Sequence, residues 1–598
     1  MKEALSGRTP LTVLQEADRH WIRLTLLAWL LVAVSVVWNR YGSIYWLALG
    51  DTDDNMRLMQ VRALLDGQGW FDLRNHRLNP PVGANIHWSR LVDLPIAALI
   101  LILRPFVGAD WAERWACGIA PLLPLSVTML GMAATVRRLV APLAWPLALV
   151  FLMCCSVMLF MFMPERIDHH GWQLAMLSLT VAGLCDPERR RGGALVGIAS
   201  AVSLTIGLEM LPYAAMAGAI LALRWVWDRT EATRLEFYAL TLSAGSAIGY
   251  AGFQGWDSSV PRCDALTPVW LTVMVAAGGL LFVLARVSPA SRNLRLALAV
   301  AAGAIIAVGF ARLFPQCLGR PEQVSPELAR NWLDNVREAK PIYKHALRDD
   351  FPIAALPVVG ILGAIAATMR ARGERLWNGW LPVLLFSTFA CLMLLWQIRA
   401  GPAAQLLAVP GVTALTWWLV PWCRGHRNPL VRVLGTVAVV LVAGIGLFAG
   451  TVLRLLPIEQ PKAYVRRVNH ATGMCLTRPA LAALDRYPAQ TIFTFVDLSP
   501  RLITTTHHDA IAGPYHRNGA AILDVQHAFT GSPAQARAIM RAHGATLLVV
   551  CPNMSESTVY RARAPRGFYG QLAHGRKFPW LTQLPLLRGD PLVVWRID

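Results

Sequence analysis

Apolar runs of roughly 18 to 25 residues, each long enough to cross a bilayer core, alternate along this chain with short segments dense in Arg. Arg clusters close every second run: Arg137-Arg138, Arg189-Arg190-Arg191, Arg224 with Arg229 and Arg234, Arg286 with Arg292 and Arg295, Arg370 with Arg372 and Arg375, and Arg424 with Arg427. Basic residues accumulate on the cytoplasmic side of a membrane. Lys2, Arg8, Arg19 and Arg23 precede or open the first run, so the N-terminus is expected in the cytoplasm, with the run 23–39 leading outward. That run carries Trp and lacks a small-x-small exit, so it reads as a retained anchor rather than a cleaved signal.

Counted this way, the chain has about thirteen spans. The second to sixth are expected near 114–136, 142–163, 171–185, 193–208 and 210–227, and later ones include 296–312, 379–397, 403–422 and 431–455. The run 94–107 is short for a crossing, and the register holds only if it stays on the outer side. Three segments are then external: a first loop over 50–110, a long loop over 313–350, and everything from 457 to 598. In this last part, 491–496 and 545–550 have the pattern of short buried strands and 532–543 that of a helix. The expected fold is a polytopic α-helical membrane domain, 1–456, followed by a small α/β domain, 457–598, on the periplasmic face of a bacterial inner membrane.

Composition agrees. Of 598 residues, 55% are hydrophobic and 15% charged, against about a quarter charged in soluble domains. The formal charge of +20 suggests nucleic acid until the Arg clusters are assigned to cytoplasmic loops; the basic residues that remain on the opposite face suit an anionic lipid or a phosphate. Cys117, Cys154, Cys155, Cys185, Cys391 and Cys423 fall in or beside apolar runs and read as packing residues. Cys263 and Cys317 fall in two external loops and are free to pair.

Candidate chemistry gathers on the external side. Asp51, Asp53 and Asp54 follow the first span, Asp168-His169-His170 follows the third, and Glu338 sits in the long loop between Arg337 and Lys340. Carboxylates and an imidazole brought from three distant segments are the donors that a divalent cation needs, and an oxygen-rich set suits Mg²⁺ or Mn²⁺. Each also has a plainer reading as a solvated loop charge, and Glu338 has two basic neighbours ready to pair with it. Glu209, alone at the outer end of the fifth span, is a functional candidate because a carboxylate there is costly. Thr506-His507-His508-Asp509 and Gly513-Pro514-Tyr515-His516-Arg517-Asn518 are polar, aromatic and basic turns suited to a sugar or phosphate.

In these motifs the chain resembles the membrane glycosyltransferases of the GT-C superfamily, most of all the catalytic subunit of bacterial and archaeal oligosaccharyltransferases. That family places an Asp after its first span, an Asp-x-Asp-like motif after the third (Asp-His-His in some archaeal members), and a Glu in a long external loop. Here these match Asp53-Asp54 with Arg62, Ile167-Asp168-His169-His170, and Val336-Arg337-Glu338-Ala339-Lys340-Pro341. The resemblance implies that Asp53, Asp168, His170 and Glu338 hold Mg²⁺ or Mn²⁺, and that Asp53, Asp54, Asp168 and Glu338 carry catalysis. It places Arg399 at the phosphate of a polyprenyl-linked sugar donor. His169, Tyr515, His516 and Arg517 are candidate contacts to the sugar or to a glycan, lipid or protein acceptor.

One family feature is missing. The Trp-Trp-Asp motif that reads Asn-x-Ser/Thr acceptors does not occur in 457–598, and the pair Trp417-Trp418 lies inside a span. Two other functions therefore remain open: a metal-independent GT-C transferase using a polyprenyl-monophosphate sugar, and a transporter or flippase of lipid-linked glycans. Against transport, the polar clusters lie at the ends of spans and not at their centres.

Overall fold

The computed structural model describes residues 10–455, 462–586 and 589–598. Lys2, Arg8 and the expected domain boundary at 456/457 lie outside them. Helices occupy all thirteen stretches expected to cross. Seven helical stretches among the described residues are long and apolar enough to do so by length and composition: Trp21–Asn39, Ala109–Leu139, Pro268–Val287, Arg292–Leu313, Leu347–Arg370, Trp377–Leu394 and Ile398–Arg424. Several of these helices are apolar yet hardly covered by protein, with Leu31, Val34, Trp38, Val300 and Val308 exposed. Such a surface matches a lipid environment. Where helices do meet, small residues let them approach closely. A Cβ on Gly363 would lie 2.1 Å from the carbonyl oxygen of Gly411, so Leu347–Arg370 and Gly401–Arg424 touch backbone to backbone.

The expected third span is not one helix. It runs as Trp145–Met153, breaks at Cys154-Cys155, and resumes as Ser156–Phe160. Broken helices survive in an apolar setting only where the freed backbone groups find partners. Gln405 supplies them: its Oε1 accepts from the N–H of Val157 at 3.0 Å and of Met158 at 3.2 Å. Its Nε2 donates to the carbonyl of Pro352 at 2.9 Å. The segment 94–107 is the helix Asp93–Val107, which packs on Ala109–Ile119. The two share a small core with Leu58, Val61 and Ile167.

The C-terminal part contains the expected small α/β unit. The first loop contributes a two-stranded ladder, β1 (Arg74–Asn75) with β2 (Ala84–Asn85). The C-terminal sheet contains β3 (Thr491–Phe493), β4 (Asp509–Ala510), β5 (Leu547–Val550), β6 (Leu581–Leu584) and β7 (Val593–Ile597), in the order β4-β3-β5-β7-β6. The first three strands run parallel, and β7 and β6 add antiparallel pairs. The helix expected over 532–543 forms as Pro533–Ala542, opened by Ser532, whose side chain accepts from Gln535 N–H. Two disulfides form among the described residues, Cys263–Cys317 and Cys475–Cys551. The second was not anticipated.

The first loop and the C-terminal unit share one core. Met56, Met59, Leu78, Ile86 and Trp88 are buried with Ile492, Phe493, Ile511 and Tyr515. Leu78 forms a parallel bridge with Ala510, and Arg77 binds Asp509 at 3.1 Å and the carbonyl of Ile503 at 2.9 Å. This joint fixes where the helix Thr52–Leu65 stands.

Candidate functional site

The helix Thr52–Leu65 starts where Asp51, in extended conformation, caps it: its side chain accepts from Thr52 N–H at 2.6 Å. Asp53 and Asp54 then fall in the first turn, about 100° apart around the axis, and so face different surroundings. Asp53 opens onto a cavity of about 2190 Å³. Asp54 is fully buried behind it, accepting from Asp168 N–H at 3.0 Å and pairing with Arg166 at 3.1 Å.

Arg166 organises this wall. Its guanidinium also reaches Asp51 at 3.1 Å and Asp168 at 2.5 Å. Sequence reasoning gave this residue no role; its place between Glu165 and Asp168, at the mouth of an apolar run, was the available signal. Burial, then the nearby carboxylates of Asp51 and Asp168, push the Asp53 carboxyl up to about 7; Glu338 adds to this and His170 opposes it. Burial works to raise Asp168 too, but His170, Arg166 and His169 outweigh it and hold that group below the usual carboxylate range. Asp168 further accepts from His170 N–H at 3.0 Å. The adjacent His169 turns to Glu209, 3.1 Å from its Nε2, and Gln173 donates to the same carboxylate at 2.7 Å. Glu209 thus holds His169 in place.

Across the cavity, Glu338 lies in a short 3₁₀ turn, Arg337–Ala339, with Arg399 at 3.4 Å. The turn is tied to the next helix pair by Ile398 N–H donating to Lys340 O at 2.8 Å. Arg320, Arg337 and Lys340 line the same side. Asp53, His170 and Glu338 therefore line one space, with Asp168 buried behind it, and the charges act on one another. Among the described residues, no three of them bring donor atoms within 4.8 Å of one another. Asp168 leans to Arg166 instead, and Glu338 to Arg399.

The remaining candidates are placed as follows. Tyr515 and His516 line the cavity, and Trp88 packs edge-on to Tyr515 with ring centres 5.7 Å apart. Arg517 is spent on a clamp: Nε and Nη2 donate to the two Asp264 oxygens, each at 2.7 Å, and Nη1 donates to Asn85 at 2.9 Å. Arg62 is likewise engaged, with Glu113 and with the carbonyl of Thr504 at 2.7 Å. His507 and His508 do not line the large cavity. His507 opens instead onto a separate polar cavity of about 390 Å³, together with Asp485.

Among the cavity carboxylates that sequence reasoning missed, two are raised by burial. The turn after β3 brings Asp497 to the large cavity, and Glu556 stands beside it. Glu556 accepts from Val496 N–H at 2.9 Å, from Asp497 N–H at 2.8 Å and from the Tyr560 hydroxyl. Burial, and then Asp51, push Asp497 up to about 6; burial, and then Asp497, push Glu556 up to about 8.

No family model and no curated protein matches this chain. Solved structures do. The oligosaccharyltransferase AglB of Archaeoglobus fulgidus, in complex with an inhibitory peptide and a dolichol-phosphate, superposes with a TM-score of 0.67 at 16% identity, covering 92% of this chain and 71% of that one. The oligosaccharyltransferase of the same organism in complex with Zn and sulfate gives 0.64 at 15% identity, over 91% and 70%. A third structure, tethered to an acceptor peptide containing the NVT sequon, gives 0.64 at 15%, over 89% and 69%. At this identity the likeness establishes the fold alone: the chain folds as these oligosaccharyltransferases do.

Proposed function

We propose that this chain is an inner-membrane glycosyltransferase of the GT-C type. It moves a sugar or oligosaccharide from a polyprenyl-(di)phosphate donor to a glycan, lipid or protein acceptor on the periplasmic face. The observation that carries this reading is the cavity itself. A wall that presents Asp51, Asp53 and His170, with Asp168 buried behind it, shares the cavity with a basic edge built on Arg399 and Lys340, and Leu208, Leu211, Trp270 and Met393 supply apolar lining from the helices. One space thus suits an acceptor, a phosphate and a lipid tail. The dolichol-phosphate in the AglB complex is a lipid phosphate of the chemical kind assigned here as leaving group.

In this reading the membrane part is 1–456, with thirteen crossings, and the periplasmic part is 457–598. The Arg-rich loops support that orientation. So do the two disulfides, which join only segments assigned outside and suit an oxidising compartment.

The acceptor's nucleophilic atom attacks the anomeric carbon of the sugar as the bond from that carbon to the phosphate oxygen breaks. The electron pair leaves with the lipid phosphate. In the metal-independent form of the reaction Asp53, raised to about 7, takes the acceptor's proton, because a base works best with a pKa close to the working pH; with Asp53 holding a cation the proton passes to water. Asp54 acts through others, setting Asp168 and Arg166 in place. Arg399 offers a planar fork to the phosphate, and on release it returns to Glu338. Three carboxylates and one imidazole are donor types that suit a divalent cation, although among the described residues no three of their donor atoms lie within 4.8 Å of one another. Mg²⁺ or Mn²⁺ held by Asp53, Asp168, His170 and Glu338 would stabilise the negative charge growing on the phosphate.

The deciding experiment is mass spectrometry of lipid-linked sugars in cells with and without this chain. Accumulation of one polyprenyl-linked donor is expected, and unchanged lipid and glycan pools would refute the proposal. Arg166 favours a second reading, metal-independent transfer from a monophosphate-linked sugar, since a permanent guanidinium already neutralises part of the wall. Full turnover after exhaustive chelation would select it.

A further inference from the structure

Two groups of histidine and carboxylate among the described residues bring their donor atoms within 4.8 Å of one another. In the first, His87, Asp264 and His516, the carboxylate is already held on both oxygens by Arg517, so that group is a clamp. The second, Asp485, His507 and His508, is arranged differently. It belongs to the Thr506-His507-His508-Asp509 turn, which the proposed transfer reaction does not use.

We propose that Asp485, His507 and His508 form a transition-metal site of the zinc class, separate from the carboxylate wall. Metal-binding histidines usually donate their second ring N–H to a carbonyl or carboxylate, which fixes the tautomer and leaves a lone pair for the metal. Both rings are held this way. His507 Nε2 donates to the carbonyl of Tyr487 at 2.8 Å, and His508 Nε2 donates to that of Leu484 at 3.0 Å. Each Nδ1 is left to bind. His507 Nδ1 lies 3.3 Å from Asp485 Oδ1, and that carboxylate is itself oriented by accepting from His507 N–H at 3.1 Å. His508 is completely buried, and its Nδ1 has no hydrogen-bond partner.

That orphaned nitrogen carries the argument. An ion pair between His507 and Asp485 would explain those two residues alone, but it leaves a buried acceptor, His508 Nδ1, unsatisfied, which is costly. A metal satisfies all three donors. Two imidazoles and one carboxylate are a common zinc ligand set that leaves a fourth position open. Asp485 and His507 face the polar cavity of about 390 Å³, which can supply water there. The backbone around the site is prearranged: Arg77 donates to the carbonyls of Thr506, at 2.9 Å, and of His508. An ion at this point would link the turn before β3 to the loop leading into β4.

The test uses the full chain in detergent, stripped with a chelator and titrated with Zn²⁺, with bound metal counted by elemental mass spectrometry. The background carries Asp53→Asn and Asp168→Asn, which disables the wall. One equivalent is expected to remain bound in that background, and to be lost when His507→Ala or Asp485→Asn is added. Both of these residues are exposed, so the fold should persist, as near-UV circular dichroism would confirm. X-ray absorption at the zinc edge should report two imidazole nitrogens. Unchanged uptake in the His507→Ala and Asp485→Asn variants overturns the site, as does no uptake in the Asp53→Asn/Asp168→Asn background. Either result leaves the transferase proposal untouched.

Discussion

Arg166 and Asp168 stand two residues apart in the turn entering the helix His170–Leu184, with guanidinium and carboxylate 2.5 Å from each other and both buried. Asp51 and Asp54 lean on the same guanidinium. Removing one partner of a buried pair typically costs about 3–5 kcal/mol, because the charge left behind is uncompensated. Arg166→Gln should therefore lower the thermal midpoint sharply and abolish transfer. Arg166→Lys keeps the charge but loses the fork, and should recover part of the stability and little of the activity. Thermal unfolding and donor turnover, measured on the same preparations, check both.

Asp53 and Asp54 should separate cleanly. Asp53→Asn is expected to cut turnover of lipid-linked donor by at least about 10²-fold with little change in stability, since that side chain faces the cavity. Asp54→Asn should show the reverse balance: a lower unfolding temperature and a smaller loss of turnover. Equal effects of the two substitutions on turnover would contradict the assigned roles.

Gln405 can be tested without touching the site. Gln405→Leu leaves the N–H groups of Val157 and Met158 without their acceptor, at about 1–3 kcal/mol for each buried orphan. The variant should unfold at lower temperature. Gln405→Glu, which keeps the acceptor oxygen, introduces a buried charge and should be no better.

Asp497 and Glu556 make a pH prediction. Both carboxyls lie above the ordinary range in the folded protein, so the fold favours their protonated forms. The stabilisation is complete below the ordinary carboxyl pKa near 4 and is lost as pH rises through about 6 for Asp497 and about 8 for Glu556. Unfolding of the C-terminal unit should become easier from pH 5 to pH 9. Glu556→Gln should flatten that slope, as followed by tryptophan fluorescence.

The sequence carries much of this, and the reasons for the remainder are physical. Alternating Arg clusters locate the helical stretches because charge asymmetry is a property of each loop taken alone. Asp53 and Asp168 stand out because costly charges beside apolar runs are conspicuous locally, whereas Glu338, between Arg337 and Lys340 in a polar loop, stands out only through the family resemblance. The break at Cys154-Cys155 is not, since its cause is Gln405, some 250 positions away. The same limit hides Cys475–Cys551 and the pairing of Arg517 with Asp264. Neighbouring Asp53 and Asp54 look equivalent in sequence, and only the helix phase separates them. Asp497 follows a strand and resembles an ordinary turn residue until the sheet presents it to the cavity.

The core shared by the first loop and the C-terminal unit has a consequence for how the molecule is made. Met56, Leu78 and Trp88 are synthesised early, yet their cover comes from residues beyond 490. Arg77 must wait for Asp509, which is 432 residues later. Contacts of such separation form late and slowly. The nascent chain must therefore carry an unfinished first loop through most of its translation, and the wall bearing Asp53 is completed among the last steps of biogenesis. A stalled or prematurely terminated chain would then lack a finished site even with every helix inserted.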